Sequence, residues 1–176
     1  MKKTLIIIAI IITIIVIGKT DNNYYIIPKD AIRLRIVANS NSAYDQYIKT
    51  KVKQSLEQEL SKTQENITSI DESRTIIKNN MDNYKQKIEQ TLKLNNYNKE
   101  FTINYGQNYF PEKIYKGVKY EEGMYESLYI TIGNGEGNNW WCVLFPPICN
   151  LEYEETNNNK IEYKFLVKDV INKYIK

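Results

Sequence analysis

The sequence predicts an α+β domain in the order β-α-α-β-β-β-α, a mostly antiparallel sheet packed by helices, behind an N-terminal hydrophobic export segment. Three observations carry that reading. Ile32, Leu34 and Ile36 alternate with Arg33, Arg35 and Val37, the period of a half-buried strand. Ile48, Val52, Leu56 and Leu60 recur every fourth residue among lysines and glutamates, the period of an amphipathic helix. Strands and helices then fall in separate runs rather than in strict βαβ alternation, which favours an α+β arrangement.

The first strand ends in Asn39-Ser40-Asn41-Ser42, side chains that compete for backbone hydrogen bonds and favour turns and caps. Ser42 and Asp45 have the form of a capping box, so a helix starts there and runs to about residue 64. Ser69 and Glu72 repeat the pattern, and Ile77, Met81, Tyr84, Ile88 and Leu92 predict one second helix to about residue 94. Phe101, Ile103 and Tyr105 alternate, as do Leu128, Ile130 and Ile132, which predicts two antiparallel neighbours. Tyr109 to Gly123, between them, carries Pro111 and glycines and receives no assignment. Gly133 to Gly137 reads as a hairpin turn leading into a buried strand, Trp140 to Phe145, stopped by Pro146-Pro147. Leu166, Val167, Val170, Ile171 and Tyr174 predict a closing helix.

A chain of 176 residues, 42% hydrophobic, is long enough for one core, and residues 24–176 are assigned to a single domain. Lys2 and Lys3 precede an apolar run from Leu5 to Ile17 broken only by Thr13, the pattern of a secretory signal or export anchor over residues 1–20. As a helix that run covers about 20 Å, short of the ~30 Å hydrocarbon core, so a stable span needs help from its flanks. No A-x-A site precedes Asp21, although Gly18 and Thr20 are small; cleavage and retention both stay open. Either way the domain is exported.

The formal charge is +3, yet Lys2, Lys3 and Lys19 belong to the export segment, and the remainder balances at 21 bases against 21 acids. A neutral body lacks the basic footprint of a nucleic-acid binder. The chain contains 0 histidines, which removes Ser-His-Asp and Cys-His mechanisms and makes a zinc site built on two cysteines improbable. There is no S-x-x-K, and the pairing of Ser40 or Ser42 with Lys49 rests on proximity alone. No aspartate sits in an Asp-Thr-Gly or Asp-Ser-Gly turn, and the acid pairs Glu121-Glu122 and Glu154-Glu155 read as solvated loops. The reading therefore assigns no catalytic residue, no metal and no cofactor.

Two blocks point to recognition instead. Arg33 and Arg35 on the outward face of a strand, with Asn39, Asp45 and Gln46 beside them, form a candidate partner-binding face. An Arg–Asp pair tying strand to helix explains the same residues equally well. Trp140 and Trp141 point to opposite sides of a strand, mostly into the core, and are secondary candidates because tryptophan is favoured at interface hot spots. Cys142 and Cys149 are an even pair in an exported domain, a candidate disulfide; two small buried hydrophobes are the alternative.

The same blocks carry a family resemblance. Ile32 to Ser42, followed by Asp45-Gln46, Lys49 and Lys51-Val52, resembles the N-terminal signature of the stage II sporulation protein R family. Asn138 to Cys149 is similar to its C-terminal signature, and Phe110-Pro111, Tyr115, Gly117, Gly123, Tyr125 and Glu126 fit between them in order. Asn41 stands where the family more often has aspartate and Lys53 where arginine is common. The resemblance implies a protein made in the forespore and exported into the intermembrane space, or anchored to the membrane by its N-terminal segment. There it acts as a ligand that activates a membrane-embedded sporulation aspartic protease, which then processes the precursor of the mother-cell sigma factor. A cell-envelope enzyme or glycan-binding domain is the competing expectation, and a structural envelope protein assembling through its last helix is a second rival.

Overall fold

Alternation along the strand at Ile32–Val37 and its neighbours divides the side chains between two cores, one on each face of a central sheet. The structure, a computed structural model, describes residues 24–64, 66–149 and 160–175, so the export segment lies outside the described residues. Its strands are β1 (Tyr25–Ile26), β2 (Ile32–Val37), β3 (Phe101–Phe110), β4 (Lys113–Tyr115), β5 (Val118–Tyr120), β6 (Gly123–Ile132) and β7 (Asn139–Phe145). Its helices are α1 (Ala43–Gln64), α2 (Ile70–Asn79), α3 (Met81–Leu94) and α4 (Lys160–Tyr174). No helix among the described residues is long and apolar enough to cross a membrane.

The α+β class agrees with the sequence reading, but the sheet is mixed. Its order is β3-β6-β2-β7, with β2 parallel to β6 and antiparallel to β7, while β3 and β6 form the expected antiparallel pair. A second sheet of order β1-β5-β4 accounts for much of the unassigned Tyr109–Gly123 stretch. There β4 and β5 are joined through Lys116 and Gly117, both at positive φ (46° and 82°). That geometry matches the twist of a two-residue hairpin.

Even-numbered residues of β2 and β6, such as Leu34, Ile36, Leu128 and Ile130, face α1, α2 and α3 and pack with Ile48, Val52, Leu56, Tyr84 and Ile88. The opposite face packs Phe110, Tyr125, Trp141 and Val143 against Ile27, Val118 and Tyr120 of the small sheet and Val167 and Ile171 of α4. Helices, central sheet and small sheet with α4 are thus three layers.

Two expectations are corrected here. The single helix expected from 69 to 94 is two, because Asn80 leaves helical geometry (φ −103°, ψ 6°) and its side chain donates to the carbonyl of Ile76 at 2.8 Å. Asparagine offers the backbone this local alternative and breaks the run without changing which face is buried. The Gly133–Gly137 segment is not a hairpin turn: β2 lies between β6 and β7, so the segment arches past the end of β2. The N–H groups of Glu136 and Gly137 donate to the carbonyls of Asn39 and Ala38 at 3.1 and 2.9 Å.

Candidate partner-binding surface

The turn that ends β2 is held from three directions by one carboxylate. Asp45, buried in the first turn of α1, accepts from Asn39 Nδ2 at 2.7 Å and from Ser40 Oγ at 2.5 Å on one oxygen. Its other oxygen accepts from the Tyr97 hydroxyl at 2.6 Å. These donors hold the carboxyl well below the usual carboxylate range, with Ser40 and Tyr97 contributing most, while burial raises the Tyr97 phenol. Only half of the expected capping box forms. Ser42 Oγ accepts from the Asp45 N–H at 3.1 Å, but Asp45 turns to Asn39, Ser40 and Tyr97, and the N–H of Ser42 donates to Ser40 Oγ instead. Three donors from the fold itself occupy most of the roughly four acceptor positions of the Asp45 carboxylate, so it locks a loop.

Around that lock the glycine arch closes. Asn39 Oδ1 accepts from the N–H of Asn134 at 3.0 Å and Asn41 Oδ1 from the N–H of Asn138 at 2.7 Å. Gln46 donates to the carbonyl of Ser40 at 2.9 Å and accepts from Lys49 Nζ at 2.6 Å, and Lys49 also donates to the carbonyl of Asn138 at 3.0 Å. Asn39, Asp45 and Gln46 are therefore brought together, joined by Tyr97 from the far side of α3. Tyr97 carried no sequence signal, since nothing in its local pattern reports a partner 52 residues away.

The arginines behave differently from expectation. Arg33 is 1% exposed, beneath the small sheet, with its guanidinium over the rings of Tyr125, Phe110 and Tyr120 at 3.3, 5.2 and 5.8 Å. It faces the interior rather than the solvent and, among the described residues, forms no ion pair with an aspartate. The strands that cover it lie in the stretch the sequence reading left unassigned. Burial lowers the basicity of its guanidinium. Arg35 is half-buried between the rings of Tyr129 and Trp141 at 5.1 and 5.7 Å, and its Nη1 donates to the carbonyl of Tyr109 at 3.1 Å.

Trp140 and Trp141 fall on opposite faces of β7, the first half-buried and the second 8% exposed. Lys53 Nζ stands 4.5 Å from the Trp140 ring and Lys113 Nζ 5.1 Å from the Trp141 ring. A cavity of about 120 Å³ opens beside them, lined by Lys113, Tyr115, Tyr120, Trp140 and Trp141. Three of these five come from β4 and β5, whose alternating Lys-Ile-Tyr and Val-Lys-Tyr triplets around Lys116-Gly117 were the signal available in the sequence. Cys142 and Cys149 are joined by a disulfide with a Cα–Cα distance of 5.4 Å, which ties the middle of β7 to the segment after Pro147.

A protein-family model described as Stage II sporulation protein R matches residues 28–155, from Pro28 between β1 and β2 through the disulfide and beyond. The chain belongs to the stage II sporulation protein R family. The matched span contains the Asn39–Asp45 lock, the glycine arch and the Trp140–Trp141 surface, so the family's extent coincides with the elements that build this site. The chain is also similar to Stage II sporulation protein R of Bacillus subtilis (strain 168), 39% identical over 135 residues. That match covers 77% of this chain and 60% of the relative, so the chain spans less than two thirds of its relative's length. No solved structure matches the chain.

Proposed function

We propose that this chain acts in endospore formation as an exported forespore-to-mother-cell signal, a ligand that activates a membrane-embedded aspartic protease and so triggers processing of the precursor mother-cell sigma factor. Membership of the stage II sporulation protein R family is the observation that carries the reading. The family is named for a stage of sporulation and not for a reaction. Export is supported by Lys2-Lys3 and the Leu5–Ile17 run, the pattern of a secretory signal or anchor, and on this reading the domain acts in the intermembrane space, free or tethered by residues 1–20. The most strongly held carboxylate of the described residues, Asp45, is consumed by loop locking, which fits a binding protein better than a hydrolase. A ligand activates a protease only by binding its active state more tightly than its inactive one, and this requires a preformed surface and no chemistry of its own.

The test is complementation of sporulating cells that lack their own copy and whose protease is matched to this chain. Restored precursor processing by the full chain, lost on deletion of residues 2–18, is the expected result. Equal restoration without the export segment overturns the extracytoplasmic reading, and no restoration by well-expressed full chain overturns the signalling role.

A further inference from the structure

The small sheet turns its two faces to different surroundings. Its pairing places Tyr25, Val118 and Tyr115 in one row across β1, β5 and β4, and Ile26, Lys119 and Ile114 in the next. Side chains of successive rows point to opposite faces. Val118 is buried and Tyr25 packs against the same core, so the first row faces inward and the second outward. On that outward side Ile26 is 50% and Ile114 46% exposed. Between them stands Lys119, whose Nζ pairs with Glu112 at 2.9 Å. Carrying the alternation back from Ile26 puts Tyr24, which keeps part of its surface in solvent, on the outward side as well. The outer layer of the molecule thus presents two isoleucines, a tyrosine and a lysine stem away from the core.

The path of the chain says what this face meets. β1 is the first strand after the Lys2-Lys3 and Leu5–Ile17 export segment, and only residues 18–25 lie between Ile17 and Ile26. Fully extended, that joint reaches about 30 Å. In its tethered form the export segment therefore holds the small sheet at the lipid surface. So short an apolar row would bind a membrane weakly from solution, but a tether makes its contact intramolecular and favourable at low intrinsic affinity. The side chains suit the boundary: isoleucine enters the acyl edge, tyrosine sits at headgroup level, and a lysine stem lies along apolar surface with its ammonium in water. The segments that build the sheet, residues 24–30 and 112–122, carry four lysines and four acids, so the contact is apolar rather than electrostatic.

We propose that the outward row Ile26–Lys119–Ile114 of the small sheet lies on the membrane surface beside the N-terminal anchor and fixes the orientation of the domain. The proposal rests on the tethered form of the export reading. With this row on lipid, the opposite layer of α1, α2 and α3 is turned to the aqueous side, where a protein partner reaches it. Leu94, at the end of α3 and 83% exposed, is then the apolar side chain that stays in water although it is more exposed than either isoleucine.

The test places the full chain at one copy per phosphatidylcholine nanodisc, with and without a nitroxide-bearing lipid, and reads amide line broadening by NMR. Lys119 and Ile114 are expected to broaden at least fivefold more than Leu94, and to the same extent when phosphatidylglycerol is added or the salt is raised. Ile26→Gln combined with Ile114→Gln, both at exposed positions, is expected to keep the urea midpoint of the natural chain and to lose the broadening at Lys119 at least fivefold. Ile114→Gln alone should fall between, and Leu94→Gln should change nothing. The contrast between Lys119 and Leu94 in the natural chain decides the matter even where a variant is unstable. Equal broadening at the two residues, none at Lys119, unaltered broadening in a folded double variant, or broadening that needs phosphatidylglycerol each overturns the proposal. Solvent protection of the row without broadening assigns it to a protein contact and overturns it too. A chain that leaves the discs overturns the tethered reading and the docking with it, whereas one that stays on them without broadening at Lys119 overturns the docking alone.

Discussion

The guanidinium of Arg33 lies over the ring of Tyr125, 3.3 Å from its centroid, in a position where it is buried and none of its nitrogens finds a hydrogen-bond acceptor. A planar, weakly hydrated cation tolerates that setting because its faces can stack on aromatic rings; a compact ammonium cannot. Arg33→Lys is therefore expected to destabilise the fold by about 2–4 kcal/mol, through burial of an unpaired charge. Arg33→Met should cost less than about 1.5 kcal/mol, since it keeps the volume and removes the charge. Urea midpoints of the two variants check the order, and a lysine variant as stable as the methionine one contradicts it.

Asp45 sets an acid limit on stability. Its folded pKa is depressed by Ser40, Tyr97 and Asn39, so its contribution is fully present above the unfolded value and is lost as pH falls through the folded one. With an unfolded pKa of about 3.9, this one group gives up roughly 1 kcal/mol between pH 7 and pH 3. Asp45→Asn should lower stability at pH 7 by about 2–4 kcal/mol and lose that part of the acid dependence. Urea unfolding of both proteins at the two pH values measures the difference directly.

The glycine arch tolerates no side chain at its closest approach. A Cβ on Gly137 would overlap the carbonyl group of Ser40, which is backbone and cannot swing aside. Gly137→Ala is expected to cost about 2 kcal/mol or more, opening the arch and the Lys49 contact with Asn138. Amide hydrogen exchange should show lost protection at Gly137 and Glu136 with the helices unaffected.

The disulfide between Cys142 and Cys149 closes a short loop, sequence separation 7. Loop-closure entropy for so short a loop is worth about 2–3 kcal/mol. The double variant Cys142→Ala, Cys149→Ala should lose that much, and thermal unfolding with and without reductant should differ for the natural chain only.

What could be read from the sequence, and what could not, follows the range of the interactions. The strand at Ile32 to Val37 and the helix after Ser42 announce themselves because their periodicity is local. The same is true of the Ser69 cap, which accepts from Glu72 N–H at 3.3 Å. The placement of β2 between β6 and β7 is invisible locally, and Gly133–Gly137 has the composition of a hairpin whichever strand it crosses. Arg33 shows the limit best. Alternation places it opposite Leu34, but only the small sheet folding over that face decides that the residue is buried. In the candidate site, Asn39, Asp45 and Gln46 were legible as a polar cap, whereas Tyr97 joins them through a tertiary contact alone, and Lys113 and Tyr120 were signalled only by the short alternation of β4 and β5.

The most direct measurement of the central claim is reconstitution in a non-sporulating bacterial host that expresses the matched membrane-embedded protease and the precursor sigma factor, with this chain added or withheld. Immunoblots of the precursor should show cleavage only when the chain is present with residues 2–18 intact. Cleavage of equal extent without the chain, or none with the exported chain present beside a protease proven competent, contradicts the account.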